Sequence, residues 1–142
     1  MKSIEVRNIA FPVARDLVDG ALAHAQSKVW SVAVAVVDSH GFLVAFGRGD
    51  GVSPVIGEFA TDKAHTAAML RKSTAEFGER MATSPTLSLG VGTRSRLLTW
   101  GGGLPIFENG VLIGGLGVSG AQDFEDIACA EFALAKSGLL TH

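Results

Sequence analysis

The stretch GGGLPIFENGVLIGGLGVSG, Gly101 to Gly120, decides the fold. Eight of its twenty residues are glycine, and it closes on a literal G-x-G-x-x-G at Gly115, Gly117 and Gly120. Such a pattern has two readings. It cradles a dinucleotide phosphate where it joins a strand to a helix inside a β-α-β unit. Otherwise it marks strands whose missing side chains let another backbone or a flat ligand come close. Asn109-Gly110, set between two apolar runs, is a strong hairpin signal. Leu104 to Phe107 and Val111 to Val118 therefore read as neighbouring antiparallel strands. The dinucleotide reading then fails twice. It needs an acidic residue roughly 20 positions on, to hold the ribose, but Leu139, Leu140 and Thr141 stand there. It also needs an open helix N-terminus, whereas Asp123, Glu125 and Asp126 occupy that positive end themselves. Ser119 and Gln122 fit an S-x-x-Q capping box, with Asp123 as a rival cap. Ser119 is thus a cap or turn residue. It is not a nucleophile elbow, because Ala121 replaces the last glycine of G-x-S-x-G.

Working outward, Ile9 to Val29 repeats apolar residues at three- and four-residue steps, which predicts a helix starting near Phe11, where Pro12 is tolerated. Ser31 to Val37 is β-branched and apolar, as in a buried strand. Asp38-Ser-His-Gly41 is turn chemistry, and Phe42 to Phe46 is the return strand. A second helix runs from Pro54 to about Arg71, with a short helical piece from Ser73. PTLSLGVGTRS reads as irregular, Leu97 to Trp100 as a short strand, and Phe124 to Lys136 as a closing helix stopped at Gly138. The predicted fold is α+β: an antiparallel five-stranded sheet flanked by helices, in a profilin-like or PAS-like arrangement.

The chain has 142 residues, 47% of them apolar and 18% charged, with a formal net charge of −2. That length and composition predict one globular domain over residues 1–142. No basic run offers a nucleic-acid surface. A single cysteine, Cys129, excludes an intramolecular disulfide and a cysteine-rich metal site. No window approaches the roughly 18 apolar residues of a membrane span, and no apolar export segment follows Lys2. The expected location is cytoplasmic, with no membrane partner.

His65 is the titratable residue of most interest. Asp62 precedes it by three positions and Met69 follows by four, on one helical stripe. The stripe reads either as a haem or metal ligand oriented by a carboxylate, or as a solvated helix face with a weak ion pair. His24 and His40 read as exposed, and Cys129 as a small buried hydrophobe. Arg71, Lys63 and Arg94 could bind carboxylates. A tyrosinate-bound haem is excluded, since the chain contains no tyrosine.

Three stretches together resemble one family: SVAVAVVDSHGFLVAFGRGDG, ATDKAHTAAML, and GGGLPIFENGVLIGGLGVSGAQDFEDIACAEFAL. Their most specific features are K-A-x-T-A-A at Lys63 to Ala68, G-G-x-P-I, I-G-x-x-G-V-S-G, and D-x-x-x-A at Asp126 to Ala130. The chain is similar, from about Ala10 to Ala135, to the GlcG/HbpS-like family of haem-binding or haem-degrading proteins. That family includes the C-terminal domain of PduO-type adenosyltransferases. The resemblance implies a five-stranded antiparallel sheet with helices around it, and homo-oligomers, often dimers or octamers. It implies haem as a possible cofactor but supplies no iron ligand. HbpS-type members are secreted, and no matching export signal is read here. The implied pocket comprises Lys63, His65 and Thr66 on one helix, Gly101, Gly102, Gly103 and Pro105 on one wall, and Gly117, Ser119 and Gly120 on another.

Three functions follow, in this order. The first is a small-ligand-binding protein of haem-binding type attached to a catabolic pathway, with His65 as the possible iron ligand. The second is an enzyme acting on a small carboxylated or carbonyl substrate, with Lys63, His65 or Arg71 in acid/base or anion-binding roles. The third is an accessory subunit of a partner enzyme.

Overall fold

The computed structural model describes residues 1–142. Its elements are α1 (Phe11–Ser27), β1 (Ala33–Asp38), β2 (Leu43–Arg48), α2 (Pro54–Leu70), α3 (Thr74–Met81), α4 (Pro85–Val91), β3 (Gly103–Glu108), β4 (Val111–Ser119) and α5 (Asp123–Lys136). The strands form one antiparallel sheet in the order β2-β1-β4-β3. The fold is α+β, and no parallel crossover exists to support a dinucleotide site.

The period of two along each strand sorts the core into two layers. Val34, Val36, Leu104, Ile106, Leu116 and Val118 point to one face, where α1 and α5 cover them. Ala33, Ala35 and Val37 point to the other, beside Ala60, Ala64 and Ala68 of α2. That second face carries the glycines. A Cβ at Gly117 would run into the Ala60 carbonyl oxygen, and one at Gly115 into that of Ala64. A Cβ at Gly103 would stand 2.5 Å from the Lys63 carbonyl oxygen. The glycine-rich strands therefore let the backbone of α2 lie directly on the sheet, as glycine in a strand permits.

Two loops are fixed by their own side chains. Asp38 Oδ1 accepts from the N–H groups of His40 and Phe42, at 2.9 and 3.1 Å, as turn-forming Asp does. Asn109 and Gly110 have φ 51° and 78°, the left-handed pair of a type I′ hairpin turn.

Four expectations need correction. The sheet has four strands, not five: Leu97 to Trp100 has no ladder partner, because the Leu98 N–H donates to Thr66 Oγ1 at 3.0 Å instead. Residues 85–91 are helical rather than irregular. Pro85 opens that turn and Ser84 Oγ caps it by accepting from the Leu87 N–H, a start signal that the two glycines obscured. The cap of α5 is Gln122, not Ser119 or Asp123. Its N–H donates to Glu125 Oε1 at 3.0 Å. His24 is not free in solvent, since its ring stacks on Phe132 at 4.3 Å and meets Trp30 edge-on.

Candidate functional site

The family-like motif residues divide into three places. The first is internal. Lys63 on α2 and Asp126 on α5 are each 1% exposed. Lys63 Nζ donates to Val118 O at 2.9 Å and to Asp126 Oδ2 at 3.2 Å. Asp126 Oδ1 accepts from the Ala121 N–H at 3.0 Å. This pair clips α2 to α5 around the end of β4. Burial pulls the Lys63 ammonium below its ordinary range, against the attraction of Asp126. Burial likewise pushes the Asp126 carboxyl up, against the attraction of Lys63. Both shifts have the same origin, loss of water around a charge.

Thr66 is also internal. Its hydroxyl donates to Arg96 O at 2.9 Å and accepts from Leu98 N–H, tying the 92–102 loop to α2. Phe59 and Trp100, edge to face at 5.1 Å, hold the same loop. Lys63, Thr66 and Gly117 line neither the cleft at the β3 edge nor the clefts beside α1 and beside β2. The surface that Gly117 opens is filled by α2 itself. Ser119 is buried at the end of β4, and Gly120, with φ 127°, passes over the carbonyl of Ser31.

The second place is the half-buried His65 shelf on the outer side of α2. His65 Nδ1 lies 3.3 Å from Gly41 O, in the β1–β2 turn. A carbonyl only accepts, so this hydrogen bond needs the Nδ1–H tautomer and leaves the Nε2 lone pair available. Gly41 has φ 84°, and a Cβ there would stand 2.6 Å from His65 Nδ1. The turn therefore needs glycine twice over, for its backbone and for the imidazole beneath it. Met69 also reaches Gly41, and Leu43, exposed at the start of β2, lies on the same face of the sheet as α2. Asp62 does not orient His65. It pairs with Arg96 at 3.6 Å.

The third place is a polar cleft of about 680 Å³ at the free edge of β3. It brings together Arg71, Gly102, Gly103 and Pro105 of the sequence candidates. It adds Lys72, Glu76 and Glu131, which sequence reasoning did not single out. Gly101 lies against Ile127 and Asp123 just outside it. Thr74 is a further missed residue: its buried Oγ1 accepts from the Gly103 N–H at 2.9 Å. One signal was available, since a threonine one residue after a serine cap can turn inward, but nothing in the sequence names its partner.

Cys129 is fully buried, with its thiol pushed up to about 11 by burial. No group of three or more His, Cys, Asp or Glu side chains is placed to hold a metal ion. No helix is long and apolar enough to cross a membrane.

Comparison with known proteins agrees with this geometry. Residues 9–135 match the family described as haem degrading protein HbpS-like. The chain is 31% identical over 135 residues to the corrinoid adenosyltransferase PduO of Salmonella typhimurium, covering 94% of this chain but only 40% of that protein. It is 33% identical over 107 residues to Protein GlcG of Escherichia coli, covering 75% of this chain and 78% of GlcG. The crystal structure of a PduOC:heme complex superposes with a TM-score of 0.87 at 30% identity, covering 95% of this chain and 99% of that one. That of HbpS gives 0.85, also at 30% identity, over 95% and 94%. With its α+β architecture, its glycine-packed α2 and a family match over nearly its whole length, the chain belongs to the HbpS-like family.

Proposed function

We propose that this protein binds haem on the His65 shelf, with His65 Nε2 as the iron ligand. The observation that carries the reading is the His65–Gly41 contact. It fixes an imidazole with its metal-binding nitrogen unclaimed, one helical turn from the exposed side chain of Met69 and on the same sheet face as exposed Leu43. Support comes from the similarity to the PduOC:heme structure. The residues present suit the group: an imidazole nitrogen donor, a polarisable thioether one turn away, and the exposed apolar side chain of Leu43 on the same face. Bound haem would supply a redox-active iron. This chain's part is to orient the ring through the Gly41 carbonyl and to cover one face of the macrocycle.

The adenosyltransferase activity of PduO is not carried over, because this chain spans about two-fifths of that protein's length. Homo-oligomeric assembly belongs to the proposal. Exposed Phe124 and Phe132 on α5 give it apolar surface to bury.

Titration of the purified protein with haemin, followed at the Soret band, tests the reading. A saturable one-to-one shift in the wild type, lost in His65→Ala, is the expected result. An unchanged shift in the variant would remove His65 as ligand. No specific shift in either protein would remove haem.

A further inference from the structure

The cleft at the β3 edge carries chemistry that the haem reading leaves unused. Arg71 and Lys72 line it at the α2–α3 junction, Glu76 on α3 and Glu131 on α5. None of the four forms an ion pair within the protein, whose three pairs lie elsewhere. Charges of both signs thus converge on one cavity without neutralising each other.

The strand edge sharpens the specificity. Val118 N–H donates to Gly102 O, so by the alternation of an antiparallel ladder the next outward-facing residues are Gly103 and Pro105. Phe107 continues the outward series and exchanges hydrogen bonds with Leu140. The Gly103 N–H is taken by Thr74, and Pro105 has none to offer. This edge therefore presents carbonyl acceptors without donors, which closes it to another β-strand. A ligand here must bring hydrogen-bond donors for Gly103 O, Pro105 O and the glutamates. It must also bring an anionic group for Arg71 and Lys72.

We infer that the β3-edge cleft binds a small zwitterion, with a carboxylate held by Arg71 and Lys72 and an ammonium facing the Gly103 and Pro105 carbonyls and Glu131. Arg71 adds a second signature. It caps α2 in the left-handed conformation, φ 58° and ψ 34°, which is costly for a residue with a Cβ and is served better by glycine. Glycine is absent from a position that suits it, and a guanidinium lines the cleft instead.

The test uses three probes on the intact protein: 4-aminobutyrate, n-butyrate and n-butylamine, by calorimetry and by amide chemical-shift mapping. The expected result is saturable binding of 4-aminobutyrate, about tenfold or more tighter than either single-charge probe, with shifts centred on Lys72, Gly103 and Leu104. Arg71→Gly should weaken it by about 10- to 100-fold, as expected for loss of a charge-assisted hydrogen bond. The same variant should keep or raise Tm, because its backbone strain is relieved. Glu131→Gln should weaken 4-aminobutyrate while leaving n-butyrate unchanged. Absence of saturable 4-aminobutyrate binding would overturn the inference. So would equal affinity for n-butylamine, or affinity unaltered in Arg71→Gly. The cleft shares no residue with the His65 shelf, so this result and the haemin titration fail or succeed separately.

Discussion

Helix α2 has two faces, and they do opposite work. Its inner stripe, through Ala60, Lys63, Ala64 and Ala67, is fully buried on a sheet stripped of side chains at Gly103, Gly115 and Gly117. Its outer stripe, through Asp62, His65 and Met69, stays partly exposed. Three of the motif glycines, Gly103, Gly115 and Gly117, belong to this inner contact. Their chemical message is backbone-on-backbone packing, which leaves no room for a ligand between α2 and the sheet. The contrast teaches that a dense motif can be a packing device while the proposed ligand, His65, sits one helical face away.

The inner face should be the least tolerant part of the molecule. Gly117→Ala places a Cβ against the Ala60 carbonyl, a backbone atom with no rotamer to yield. It should destabilise the fold by about 3 kcal/mol or more, read as a fall in the denaturation midpoint. Equal stability of this variant would break the contrast at once.

The Lys63–Asp126 clip comes next. Lys63→Met alone or Asp126→Leu alone should cost about 3–5 kcal/mol, because each leaves a buried charge unpaired, while the double variant should recover most of that loss. A double-mutant cycle by chemical denaturation measures it. Additive losses would show that the two side chains act independently.

The same pair gives a signed pH dependence. Asp126 has a raised folded pKa, so the folded state holds its proton longer than the unfolded chain. Its contribution to stability is fully present below the ordinary carboxylate pKa and is lost as pH rises through the folded value. Lys63 has a lowered folded pKa, so stability rises again with pH between that value and its ordinary one. Stability profiles of the wild type and the double variant should differ by these two opposed slopes. A difference profile that is flat over both windows would contradict the assignment.

Smaller effects mark the periphery. Thr66→Val leaves the Leu98 N–H and the Arg96 carbonyl without their partner and should cost about 1–3 kcal/mol. Gly90→Ala lies in α4 with nothing within 4 Å of the new Cβ, and should stabilise by about 0.4–1 kcal/mol through the unfolded state. Thermal melts of the two variants should therefore move in opposite directions.

Much of this was legible along the chain, where the signals are local. Asn109-Gly110 set the β3–β4 hairpin, Pro54 began α2, and Gly138, with φ 69°, ends α5 as expected. The errors arose where a distant partner overrode a local pattern. Leu97 to Trp100 has strand-like composition, but Thr66, more than thirty positions earlier, captures the Leu98 N–H. Lys63 and Asp126 were both visible as motif residues, yet sixty-three positions separate them, and one sequence offers no cue that they meet. His65 stood out through its helical stripe. Its actual orienting group, the Gly41 carbonyl, belongs to a turn across the fold and has no side-chain signature. The cleft was half visible. Arg71, Gly102, Gly103 and Pro105 were candidates, whereas Lys72, Glu76 and Glu131 looked like any surface charge.

The most direct test of the outer face is chemical rescue of the proposed ligand. His65→Gly removes the imidazole without disturbing the inner stripe of α2, and haemin spectra are then recorded with and without added imidazole. The account predicts that the wild-type Soret band is lost in the variant and restored by free imidazole. A variant whose haemin spectrum matches the wild type before any imidazole is added would contradict it.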